Sequence, residues 1–152
     1  MNLYWDASAL VKLYVREVGS ETVVNALAAA SSKGTAIVSG AEVPAALAKA
    51  VRMDVISQGK AAQLVAAFWR FWPTLVRLEV SEPLVRHAAD LAWRFGLRGY
   101  DAVHLASALA LQDAARDVVT LATFDRRLSQ AAHDLGLSTV PADLGAFLAG
   151  TV

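Results

Sequence analysis

Four carboxylates stand where the chain passes from a short apolar run into a helical segment. Asp6 follows Leu3-Tyr4-Trp5, Glu42 follows Ala36-Ile37-Val38, Asp125 follows Val118 to Ala122, and Asp101 opens the segment beginning Ala102-Val103-His104. Held within a few ångströms, four such groups repel one another, and some keep protons at neutral pH unless a cation neutralises them. A divalent cation resolves that conflict. The chain has no cysteine, so the donors are hard oxygens that suit Mg²⁺ or Mn²⁺. Such an ion activates water and stabilises charge on a phosphodiester, the chemistry of nucleic-acid hydrolysis. Each acid taken singly has a plainer reading, because acids cap helix N-termini and complement the helix dipole. Ser39-Gly40-Ala41-Glu42 even fits a capping box, with Ser at the N-cap and Glu at N3. Pro44 conflicts with it: at the favoured first helical position it would leave Glu42 ahead of the helix.

The elements that must carry these acids alternate along the chain. Leu3-Tyr4-Trp5, Ala36-Ile37-Val38, Leu75 to Val80, Val118 to Ala122 and Ser138-Thr139-Val140 read as strands. Helical spacing runs over 9–16, 21–31, 45–52, 61–72, 83–95, 102–112 and 126–135, with a short terminal helix over 143–149. Pro73 stops one helix, and Gly96 and Gly136 close two others. Strands alternating with helices predict an α/β sandwich with a mainly parallel sheet, in which ligands bind beyond the carboxyl ends of the strands. All four acids can meet on that edge.

Composition sets the outer bounds. A chain of 152 residues without repeats or linker-like tracts fits one domain over 1–152. Hydrophobic residues make up 56% of it, yet no apolar run approaches the roughly 18 residues of a membrane span. The start, Met1-Asn2-Leu3-Tyr4-Trp5-Asp6, does not read as a secretion signal. The absence of cysteine fits a reducing cytoplasm. Fourteen basic and fourteen acidic residues cancel, so any contact with nucleic acid must come from a local patch rather than bulk charge.

The wording around the acids adds to this. Tyr4-Trp5-Asp6-Ala7-Ser8-Ala9-Leu10-Val11-Lys12-Leu13-Tyr14 resembles the opening of PIN-domain toxins. Leu97-Arg98-Gly99-Tyr100-Asp101-Ala102-Val103-His104-Leu105-Ala106 is similar to their third acidic motif, and Thr123-Phe124-Asp125-Arg126-Arg127-Leu128 to their fourth. Together these phrases span nearly the whole chain. The resemblance implies a PIN-like three-layer sandwich with a five-stranded parallel sheet, and Mg²⁺- or Mn²⁺-dependent endoribonuclease activity. It also implies inhibition by a cognate VapB-type antitoxin, as in VapBC toxin–antitoxin pairs. On that basis Asp6, Glu42, Asp101 and Asp125 carry over as metal-binding, catalytic acids, and Ser8 and Thr123 as hydroxyls that orient a carboxylate or water.

Other residues fill in the surroundings. Lys12 and Arg98 are candidates for holding RNA phosphates, with Arg16, Arg126 and Arg127 behind them. His104, flanked by Val103, Leu105 and Ala106, reads as a hydrogen-bonded core imidazole rather than a general base. Phe68, Trp69, Phe71 and Trp72 crowd one helix end, which points to an interface with an antitoxin or with a second copy in a homodimer. Two other functions compete with the toxin: a non-catalytic PIN-like module that only binds a regulatory protein, and an RNA-processing PIN nuclease without an antitoxin.

Overall fold

Leu3 and Trp5 pack into one hydrophobic cluster and Tyr4 into another, and all three are fully buried. A strand apolar on both faces belongs at the middle of a sheet with helices on each side. The computed structural model, which describes residues 1–150, has that arrangement. After β1 (Asn2–Trp5) come α1 (Ala7–Val11), α2 (Ser20–Ala29), β2 (Ser32–Ala36), α3 (Ser39–Arg52), α4 (Gln58–Phe71) and β3 (Val76–Leu78). Then follow α5 (Glu82–Phe95), α6 (Gly99–Ala115), β4 (Val119–Ala122), α7 (Arg126–Asp134), β5 (Ser138–Val140) and α8 (Leu144–Leu148). The sheet has five parallel strands in the order β3-β2-β1-β4-β5, the α/β sandwich expected from the alternation.

That order sets the position of the site. From β1 the chain moves outward through β2 and β3 on one side, and only later fills the other side with β4 and β5. The strands beside β1 therefore lead off in opposite directions, and a crevice opens at their carboxyl ends. Trp5 pairs with Ala122 at the last register position of β1 and β4, so Asp6 and Thr123 emerge side by side.

Helices α5, α6 and α7 cover the face that carries Tyr4, through Leu91, Leu105 and Leu128, and α1 to α4 cover the other through Leu10, Val23, Leu47 and Phe68. α6 lies close on the sheet: a Cβ at Gly34 of β2 would stand 2.5 Å from Leu111 Cδ2. Gly96 closes α5 as the sequence suggests, in the left-handed conformation at φ +63°, and the Ser81 hydroxyl caps its start by accepting from Leu84 N. Among the described residues, no helix is long and apolar enough to cross a membrane.

Three elements depart from the sequence reading. The second strand is Ser32–Ala36, not Ala36-Ile37-Val38. Its polar members are satisfied internally: buried Thr35 donates to the Trp5 carbonyl at 2.8 Å and bonds the Ser39 hydroxyl at 2.7 Å. α1 ends at Val11 instead of Arg16, and the chain continues in turns with bonds from Lys12 N to Ala9 O and Leu13 N to Leu10 O. Helix α3 starts at Ser39, ahead of Pro44, which lies inside it and removes one backbone hydrogen bond.

Candidate active site

Asp6 is the first residue beyond β1 and caps α1, its Oδ1 accepting from Ala9 N at 2.8 Å. Two hydroxyls close around the same carboxylate. Ser8 Oγ donates to it at 2.7 Å and Thr123 Oγ1, from the end of β4, at 2.6 Å. Asp6 is buried, and burial pushes its carboxyl above the ordinary range, nearby His104 and the hydrogen bonds from Thr123, Ser8 and Ala9 opposing that rise only in part. The two hydroxyls predicted from the sequence thus touch the acid, and each also links to the fourth acidic segment: Ser8 Oγ accepts from Phe124 N and Thr123 Oγ1 from Asp125 N.

Asp125 caps α7 by accepting from Leu128 N at 2.9 Å, and Asp101 lies in the first turn of α6. Between them stands Arg98, at the N-cap of α6. Its Nε donates to Asp101 Oδ2 at 2.7 Å and its Nη2 to Asp125 Oδ2 at 3.1 Å.

Glu42 is not a capping-box acid. Helix α3 has Val38 at its N-cap with no side-chain cap, Ser39 is turned to Thr35, and Glu42 reaches across to His104, whose Nε2 lies 2.8 Å from Oε2. His104 is only 2% exposed, and its Nδ1 lies 2.9 Å from the Tyr4 hydroxyl. It is the hydrogen-bonded core imidazole that its apolar flanks suggest. Its partner, an acid 62 residues away, left no mark in the local sequence. The signal available was the spacing of Asp101 and His104, one helical turn apart on α6.

All four acids line one cavity of about 270 Å³, together with Ser8, Arg98, His104 and Phe124. A second cavity of about 410 Å³ shares Arg98, Asp101, Phe124 and Asp125 with it and adds Arg126 and Arg127. An apolar groove of about 760 Å³ along α5 and α6 ends at Glu42, Arg98 and Asp101. Lys12 lines none of these. Because α1 stops short, its Nζ turns to Glu17 Oε1 and the Val18 carbonyl, each at 2.9 Å, and lies 4.3 Å from the centre of the Phe124 ring.

Among the described residues, no group of three or more His, Asp and Glu side chains is arranged to hold a metal ion. In this arrangement Arg98 pairs with two of the four acids and His104 with a third. The chemistry of the set nevertheless fits a cation. All four donors are hard oxygens, one of them is desolvated, and a guanidinium already stands as the positive charge between two others.

Residues 3–134 match the family model described as the PIN domain. Ribonuclease VapC45 of Mycobacterium tuberculosis is 40% identical over 147 residues, covering 93% of this chain and 96% of the relative. Ribonuclease VapC3 of Pyrobaculum aerophilum is 31% identical over 130 residues, covering 86% of this chain and 94% of its own. FitAcB from Neisseria gonorrhoeae shares the fold with a TM-score of 0.63 at 18% identity, over 90% of this chain and 95% of that one. A toxin–antitoxin complex from Klebsiella pneumoniae does so with a TM-score of 0.58 at 17% identity, over 82% and 87%. Three acidic segments that meet at one sheet edge, a family model matched across most of the length and relatives similar nearly from end to end agree: this chain belongs to the PIN domain family.

Proposed function

We propose that this protein, a single PIN domain over 1–152, is a divalent-metal-dependent endoribonuclease and the toxin of a VapBC-type pair in the cytoplasm. The observation that carries this reading is the convergence of Asp6, Glu42, Asp101 and Asp125 on one cavity where the strand order reverses. The similarity to relatives named as ribonucleases supports it.

Asp6, Asp101 and Asp125, with Glu42, would hold Mg²⁺ or Mn²⁺. Bound there, the ion supplies an activated water and neutralises charge on the scissile phosphate. The chain's own residues do the rest. Ser8 and Thr123 fix the direction of the Asp6 carboxylate by donating to it. Arg98, Arg126 and Arg127, around the adjoining cavity, offer donors to phosphates flanking the scissile bond and provide the local basic patch that zero net charge requires. Phe124 forms a wall shared by both cavities, against which a base can lie.

The antitoxin reading draws on the apolar groove of α5 and α6, which ends in acids and so suits a partner segment with apolar side chains followed by a base. On α4, Phe68 is buried in the core while Trp69 stays 45% exposed, which supports an interface there with an antitoxin or a second copy in a homodimer.

The deciding experiment incubates purified protein with single-stranded RNA and Mn²⁺. Cleavage is expected, with loss on chelation and in Asp6→Asn and Asp101→Asn variants that keep the wild-type circular dichroism. Equal cleavage by both variants would remove the acids from the mechanism. Growth arrest on expression, relieved by a small protein encoded beside this one, tests the toxin assignment.

A further inference from the structure

The four acids are not anchored alike. Asp6 and Asp125 accept from backbone N–H groups at helix starts, and Asp101 is paired by Arg98. Glu42 has a longer side chain with more rotamers to lose, and its anchor is His104. We propose that His104, itself held by Tyr4, is a positioning residue that aims Glu42 into the acidic cavity and thereby sets the site's affinity for a divalent cation. The inference rests on the metal-dependent reading above and adds to it two residues outside the four acids.

The hydrogen bonds fix the arrangement. A Glu42 carboxylate only accepts, so the ring must donate to it from Nε2. The other ring nitrogen, Nδ1, bonds the Tyr4 hydroxyl at 2.9 Å, so both ring nitrogens have a partner. Tyr4 is fully buried on the central strand, so the far end of the Tyr4–His104–Glu42 chain cannot move. Tyr4 and Glu42 thus grip the imidazole from its two ends, which fixes its orientation.

Its position gives the chain consequence. Tyr4 lies two residues before Asp6 on β1, His104 one turn after Asp101 on α6, and Glu42 in the first turn of α3. One imidazole thus ties together the three elements that carry three of the four acids, and it lines the same cavity as they do. Only Oε2 of Glu42 takes part in the bond, which leaves Oε1 available to a cation. A merely structural histidine would need partners, but those partners need not include a partly exposed acid of the site.

The test measures Mn²⁺ binding by calorimetry and RNA cleavage kinetics for wild type, His104→Leu, His104→Gln, Tyr4→Phe, Glu42→Gln and the His104→Leu/Glu42→Gln double variant. Losing the donor to Glu42 is expected to weaken Mn²⁺ binding about 10- to 100-fold, as removal of such supporting partners does. kcat should fall while KM for RNA stays within about twofold. His104→Gln, which returns an N–H donor near Nε2, should recover most of the affinity. In the Glu42→Gln background the leucine substitution should have no further effect on Mn²⁺. Tyr4→Phe, which keeps the ring but frees its orientation, should show a smaller loss of about threefold or more, and serves if His104→Leu melts below the assay temperature. Wild-type Mn²⁺ affinity in His104→Leu or in Tyr4→Phe, or an undiminished leucine effect in the double variant, overturns the inference. Wild-type protein that neither binds Mn²⁺ nor cuts RNA overturns instead the reading on which it rests.

Discussion

Arg98 Nη2 donates to Asp125 Oδ2 over 3.1 Å while its Nε donates to Asp101 Oδ2 over 2.7 Å, so one guanidinium joins the head of α6 to the head of α7. The arginine side chain is 76% exposed, and exposed ion pairs contribute about 0–1 kcal/mol. Its removal should therefore leave the melting temperature within about 4 °C of wild type. It also frees two carboxylates from a competing positive charge. Arg98→Ala is expected to bind Mn²⁺ roughly three- to tenfold more tightly without RNA, and to show a higher KM for RNA. Weaker Mn²⁺ binding in calorimetry would show that Arg98 organises the acids rather than competing for them.

Asp6 gives a pH prediction with a definite sign. Burial raises its folded pKa above the unfolded value of about 3.9. Without metal, its contribution to stability is complete below that unfolded value and is lost as pH rises through the folded one. Asp6→Asn removes the buried charge while the Ser8 and Thr123 hydroxyls can rotate to accept from the amide. The variant should melt higher than wild type at pH 7 in chelator, by about 2–4 °C per kcal/mol relieved, and gain nothing from Mn²⁺. Melting curves from pH 4 to 8 that run parallel for the two proteins would refute this.

Thr123 serves two acids at once, donating to Asp6 Oδ2 and accepting from Asp125 N. Thr123→Val keeps the shape and leaves both groups short of a partner, at a cost of about 1–3 kcal/mol. Thr123→Ser keeps the hydroxyl and should recover most of that stability and of the cleavage rate. Urea unfolding of the two variants separates missing hydrogen bonds from altered packing.

Lys12 and the arginines of α7 should behave differently toward RNA. Lys12 is committed to Glu17 and Val18, whereas Arg126 and Arg127 line the cavity beside the acids. Arg126→Ala and Arg127→Ala should each raise KM and reduce the dependence of log affinity on log salt, by about 0.7 for each phosphate of a single strand that is no longer neutralised. Lys12→Ala should leave that slope unchanged.

Much of this architecture can be read from local patterns. Leu3-Tyr4-Trp5 and Val119 to Ala122 are buried on both faces, so their apolar runs identify central strands, and Ser81 and Gly96 bound α5 by capping chemistry alone. β2 is harder because Ser32, Lys33 and Thr35 look like a turn, and only the hydrogen bonds to Trp5 and Ser39 make Thr35 at home inside. Pro44 argues for a late start to α3, yet the helix begins at Ser39 and runs through it with Ser39, Val43 and Leu47 buried. The three aspartates are legible because each sits in a marked local setting. The direction of Glu42 depends on an imidazole from a distant segment, and no local window contains both.

The register between Trp5 and Ala122 has a temporal consequence. β1 is made well before β4, the strand that brings Thr123 and Asp125 beside Asp6. On the proposed function, a chain whose β4 has not yet paired with β1 holds Asp6 without Thr123 and Asp125, and its site would be incomplete. If the proposal holds, cleavage would start only once β4 docks against β1, and an antitoxin made in the same interval would meet the protein as its site closes.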